Sequence, residues 1–272
     1  MDPVKLVEKI KRDAPTLTMG GQKYYIVETD RKLLESELLA YAKEIASLVG
    51  PTPAQPPNLE GLVAATINGK PMRWELPAVL TWAIDEDSFS SDPDALAMAK
   101  SICTKATANW NTAAKEMGID NVVAFKKKKK NPLFKFIFDP FSDPNLYAVA
   151  FFPNDPANKR VVNIGPTTFV EPNDFDPVGV IRHELGHVLG FRHEHIRSQA
   201  QQGMTPAQKS QMEKWVTGGI GGEALTDYDS QSVMHYPLNG RGTLDFKLTD
   251  KDKAGFKKLY TLPAAEVKQF PV

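Results

Sequence analysis

The chain has 272 residues, 42% of them hydrophobic, with 33 basic and 33 acidic side chains and one cysteine, Cys103. That is enough to bury a core in one large domain, or in a smaller one with an extra segment. Zero net charge gives no reason to expect nucleic acid or an anionic membrane as partner. A single cysteine excludes an internal disulfide framework, and no stretch approaches the ~18 apolar residues of a membrane span.

In chain order, the opening MDPVKLVEKIKRDAP lacks the apolar run of a secretory signal. Leu34, Leu38, Tyr41, Ile45 and Leu48 recur at three- and four-residue steps and predict an amphipathic helix ending at Gly50. The proline-rich PTPAQPP, residues 51–57, then reads as a stiff linker. The expected organisation is a helical N-terminal segment over residues 1–72, a pro-segment or regulatory extension, followed by a domain over residues 73–272. In that domain Leu76–Ile84 reads as a strand. Asp92 and Pro93 start a helix with an apolar stripe of Met98, Ile102, Ala106 and Trp110. Cys103 on that helix reads as a small buried apolar residue. Strands are expected at Leu133–Phe138, Leu146–Phe152 and Val161–Ile164, a helix from about Val178 to Gly190, and a last helix near Lys251–Tyr260. The five lysines Lys126–Lys130 read as a solvated loop between strands.

The decisive segment is HELGHVLGFRHEH, residues 183–195. On a helix His183 and His187 share one face, and both imidazoles can reach one ion. Glu184 projects beside that face, within reach of a water on the metal. Gly190 lets the chain leave the helix with an unusual backbone angle, so that His193 can return as the third ligand. Three neutral histidines leave a fourth position open, as in catalytic zinc sites. The chain has only five histidines, at 183, 187, 193, 195 and 235, and four fall in this segment.

The fifth lies in SVMHY, residues 232–236. HExxHxxGxxH followed by a methionine turn resembles the metzincin clan, and HELGHVLGFRHEH with DYDSQSVMHY resembles the astacin family of zinc metalloendopeptidases in particular. The resemblance spans roughly residues 74–260. It implies an α+β, two-lobed peptidase domain: a twisted mixed sheet with an active-site helix above, an irregular lobe below, and one zinc ion in the cleft. It further implies that Met234 lies beneath the three histidines, that Tyr236 is an additional, displaceable zinc ligand, and that Glu194 meets the amino terminus of a processed chain. Arg197 also matches a family position. Two departures stand out: no internal disulfide can form, and the FxGD pro-segment motif is not evident.

The expected activity is therefore hydrolysis of peptide bonds in proteins. Glu184 is expected to be the general base, and the resemblance implies that Tyr236 donates a hydrogen bond to the oxyanion. Val161–Ile164 is expected at the sheet edge, where an extended peptide would add as a strand. The competing readings are a catalytically silent binding module, which should have lost a ligand or the base, and a non-haem iron oxygenase, which uses two histidines and a carboxylate. The expected partner is a protein or peptide substrate, with no nucleic acid and no membrane, and the chain is expected to be a soluble monomer. Lack of disulfides and of a signal points to a bacterial chain, exported or delivered to a host cell by a non-Sec route.

Overall fold

The structure, a computed structural model, describes residues 2–19, 21–27, 31–48, 62–139, 146–170, 173–196, 205, 222–237 and 241–272. Asp2 opens α1 (Pro3–Asp13) by accepting from the Val4 N–H at 2.9 Å, and Pro3 sits where no helical bond is lost. α1 and α2 (Glu35–Leu48) cover one face of an antiparallel sheet of β1 (Thr16–Met19), β2 (Gln22–Val27) and β3 (Arg31–Leu34). Strand alternation sorts β2 between two cores. Tyr25 and Val27 pack with Leu6, Ile10 and Leu38 of the helices, whereas Tyr24 and Ile26 pack with Leu17, Leu146 and Val149. The expected helix is present, a second one precedes it, and the sheet between them is an addition to the sequence reading. Its central run, YYIV, is buried on both faces and so shows no polar alternation. The proline-rich stretch lies outside the described residues.

β4 (Val63–Ile67) and β5 (Lys70–Trp74) form a hairpin closed by Asn68 and Gly69, whose φ values of 52° and 75° suit a two-residue turn matched to strand twist. β4 also pairs with β11 (Phe191–Arg192) and β12 (Gly222–Ala224), and β5 runs parallel to β13 (Lys268–Phe270). The division expected after residue 72 therefore falls inside β5. Leu62, Ala64 and Trp74 belong to the main core, so this hairpin goes with the C-terminal part.

The main sheet has the order β7-β6-β8-β10-β9, built from β6 (Ala78–Ile84), β7 (Val123–Lys127), β8 (Phe134–Phe138), β9 (Ala148–Val149) and β10 (Val161–Ile164). All pairs are parallel except β9 with β10. β10 is thus not the edge strand: β8 flanks it on one side and β9 on the other. Only two residues of the strand expected at Leu146–Phe152 pair in this way. α3 (Pro93–Glu116), capped by Asp92, and α4 (Pro177–Val188) pack together in the main core beside the sheet, and α5 (Asp250–Thr261) joins them through Phe256 and Leu259. Cys103 is buried in α3, and burial pushes its thiol pKa up, which suits an inert packing residue. Lys126–Lys130 are exposed. No helix among the described residues is long and apolar enough to cross a membrane.

The N-terminal sheet is tied to the main sheet by a buried cation. Lys32 Nζ donates to the Val161 carbonyl at 2.9 Å and to Asn163 Oδ1 at 2.7 Å, and Glu37 pairs with the buried Lys159. Desolvation pushes the Lys32 pKa down from 10.5 to about 7, against the opposing pull of Asp155, Asp139 and Glu184. A base whose folded pKa lies below its unfolded one keeps its proton in both states below the folded value and gives it up on folding only between the two values. Its cost to stability is full below pH 7 and lifts as pH rises towards 10.5. Denaturant titrations at stepped pH should therefore show wild type gaining stability relative to a Lys32→Met chain between these two values. A difference that stays flat across that window would contradict the assignment.

Candidate metal centre

Asp176 caps α4 by accepting from the Val178 N–H at 3.1 Å, with Pro177 at the first helical position. Every residue from Gly179 to Val188 is buried. A helix end with no water around it must find partners for its last carbonyls, and two aromatic side chains supply them. Trp74 Nε1–H donates to Val188 O at 2.7 Å, and the Tyr260 hydroxyl donates to Leu189 O at 3.1 Å. Gly190 then turns the chain at φ +99°, and a Cβ there would stand 2.7 Å from the Met72 carbonyl oxygen. Only glycine suits both demands. The turn leads through β11 to His193, as the spacing predicts.

His183, His187 and His193 come together, all buried, with one potential ligand atom from each lying within 4.8 Å of the others, so the cluster could hold a metal ion. Backbone carbonyls fix two of the rings. His183 Nδ1 lies 2.7 Å from Val233 O and His187 Nδ1 lies 2.7 Å from Phe191 O. A carbonyl can only accept, so each Nδ1 carries the proton and each Nε2 presents its lone pair. His183 Nε2 and His193 Nε2 stand 3.2 Å apart. Two nitrogens at ~2.0–2.1 Å from a tetrahedral ion would be separated by ~3.3 Å, so the residues present fit a zinc-sized ion.

Glu184, next along α4, is 3% exposed, and its charge is felt at Lys32. Met234 packs directly on the helix: a Cβ on Gly186 would lie 2.3 Å from its sulfur. Glu194 is fully buried; its backbone N–H donates to Met234 O at 2.8 Å, and its carboxylate accepts from the Asp229 N–H at 3.0 Å. Tyr236 stacks on His183, with ring centroids 5.1 Å apart at 19°, and lies 4.8 Å from the His193 ring. All the site residues expected from sequence within the described region thus gather in one place. Arg197 lies outside the described residues.

Three further residues hold this arrangement, and of these only His195 lies within the segment that stands out in the sequence. The buried Arg182, just before the motif, donates to Asp245 O and Phe246 O at 2.9 and 2.7 Å and to Asn109 Oδ1 at 3.0 Å, fixing the segment that places Phe246 5.1 Å from His183. His195 stacks on Tyr236. Asp252 is fully buried near the start of α5 and accepts from Ser232 Oγ at 2.6 Å, the Val233 N–H at 2.8 Å and the Thr249 N–H at 3.0 Å. Thr249 and Asp252 form a capping box, so T-x-x-D is the signal in the sequence for the local contact. Its reach to residues 232 and 233 has none. Burial raises the Asp252 pKa to about 6 in spite of these donors. Asp252→Ala would orphan all three donors, and the expected loss is roughly 3 kcal/mol or more of unfolding free energy, against about 1 kcal/mol for Ser232→Ala. Equal effects in a urea titration would show that Asp252 does not organise the loop.

The sequence profile of the Astacin peptidase family matches residues 169–249. Tolloid-like protein 2 of Mus musculus is 36% identical over 103 residues, covering 34% of this chain and 10% of the relative. Dorsal-ventral patterning protein tolloid of Drosophila melanogaster is 23% identical over 185 residues, covering 64% and 16%. High choriolytic enzyme 2 of Oryzias latipes is 38% identical over 65 residues, covering 21% and 22%. The chain thus spans about 10% of the length of the tolloid-like relatives. Among solved structures, that of myroilysin has a TM-score of 0.45 at 20% identity, covering 74% of this chain and 99% of the other. The matched stretch contains the whole histidine motif and the methionine loop, so over residues 169–249 the chain is similar to the astacin family of metallopeptidases.

Proposed function

We propose that the chain is a zinc-dependent endopeptidase that hydrolyses peptide bonds in proteins, as a monomer with one zinc held by His183, His187 and His193. The observation that carries this is the buried cluster of three imidazoles, two of them locked by carbonyls with Nε2 lone pairs inward, beside a buried glutamate. Three histidines without a carboxylate ligand favour zinc over a non-haem iron site. When bound, zinc supplies Lewis acidity towards a water and towards the peptide carbonyl.

The remaining work falls to the chain's own residues. Glu184 accepts the proton of the attacking water and delivers it to the leaving amine; its burial beside the cluster strengthens that exchange by excluding bulk water. The Tyr236 hydroxyl serves in two positions. It can approach the histidine cluster in the resting chain, and it can donate a hydrogen bond to the oxyanion during turnover. Retention of Glu184 and of all three histidines separates this from a silent binding module.

Glu184→Gln keeps the side chain's shape and removes the base. The expected result is about one zinc per chain still bound, with turnover of a casein-derived peptide reduced by about 10²–10⁴-fold. Near-wild-type turnover by a clean Glu184→Gln sample would exclude the assigned role. Zinc-free wild type that hydrolyses the peptide as fast as the loaded chain would exclude the metal mechanism altogether.

A further inference from the structure

One short turn delivers two aromatic rings to the metal centre. His193 enters the cluster, and two residues later His195, in the 3-10 turn Glu194–Ile196, faces Tyr236. The His195 and Tyr236 rings are 4.7 Å apart at 21°, and the Tyr236 N–H donates to His195 Nδ1 at 3.4 Å. Tyr236 also stacks on His183, so its ring is held by two near-parallel imidazoles. His195 is fully buried, and the turn carrying it is fastened at Glu194 to Met234 O and the Asp229 N–H. The turn that carries His195 is therefore anchored by contacts made outside the three-histidine cluster.

We propose that His195 is the positioning residue for Tyr236: its imidazole face holds the phenol ring against the histidine cluster and so sets how readily the hydroxyl leaves it. This rests on the reading of Tyr236 as a displaceable ligand. For the hydroxyl to move from cluster to substrate, the ring must slide or rotate out of the stack with His195. Stacking of this kind biases the two positions by about two- to tenfold. The 3.4 Å contact to Nδ1 is long for a hydrogen bond and adds little.

The test separates face from nitrogen. His195→Asn keeps an acceptor near the Nδ1 position and removes the ring; His195→Phe keeps the ring and removes the acceptor. The readout is the apoprotein reconstituted with Cu2+, in which a coordinated phenolate gives a visible charge-transfer band, with Tyr236→Phe as its blank. The expected result is a band in wild type that falls about two- to tenfold in His195→Asn and is retained in His195→Phe. His195→Leu, also faceless, repeats the measurement should the asparagine chain not fold. Wild-type intensity in the faceless variants, or equal loss in the phenylalanine variant, overturns the proposal while leaving Tyr236 a ligand. A wild-type spectrum identical to that of Tyr236→Phe removes Tyr236 from the ligand set and this proposal with it.

Discussion

The constraint on which the rest of the structure depends is that α4 has almost no solvent face. A helix buried over its whole turn of side chains cannot leave a polar group to water, so each one must be answered from another element. Arg182 is answered by the Asp245 and Phe246 carbonyls, His183 by Val233 O, and the last carbonyls by Trp74 and Tyr260. Each answer comes from a distant part of the sequence, and each fixes that part relative to the helix. The cost of leaving any one unmade, about 1–3 kcal/mol for a neutral group, is what makes the arrangement specific.

The methionine loop shows how those ties accumulate. Asp252 holds it from below through Ser232 and Val233, and Glu194 holds it from the side through Met234 and Asp229. Met234 then lies against Gly186, where no larger residue would fit. The loop is therefore rigid where it presents Val233 O to His183. An imidazole whose tautomer is set by a fixed carbonyl needs no rearrangement to present its lone pair, so less free energy goes into ordering the ligands when an ion binds. The N-terminal sheet reaches the same neighbourhood through Lys32, whose ammonium senses Glu184.

Local signals in the sequence carry the site well. His183 and His187 at four-residue spacing, and Gly190 ahead of His193, specify a helix and a turn whose geometry follows from backbone physics alone. Helix caps at Asp92, Asp176 and Thr249 behave as local rules expect, with Asp-Pro as the signal at the first two and T-x-x-D at the third. What is not legible depends on pairing over long distances. The two faces of β2 are both buried, so its alternation is invisible until its partners are known. The Asn68-Gly69 turn is a strong hairpin signal, yet that β4 joins β11 and β12 is set by the burial of Leu62 and Ala64. The position of β10 inside the sheet, rather than at its edge, follows from only two paired residues of β9. Arg182 and Asp252 look like ordinary surface charges in a sequence, and only the fold turns them inward.

Zinc K-edge X-ray absorption on the purified full chain tests the central claim most directly, because it reads the donor atoms themselves. The account predicts one zinc with three imidazole nitrogens at ~2.0–2.1 Å, oxygen completing the shell and no sulfur. A first shell containing a Cys103 sulfur at ~2.3 Å, or one of oxygen alone, would contradict the assignment of His183, His187 and His193 as the metal-binding set.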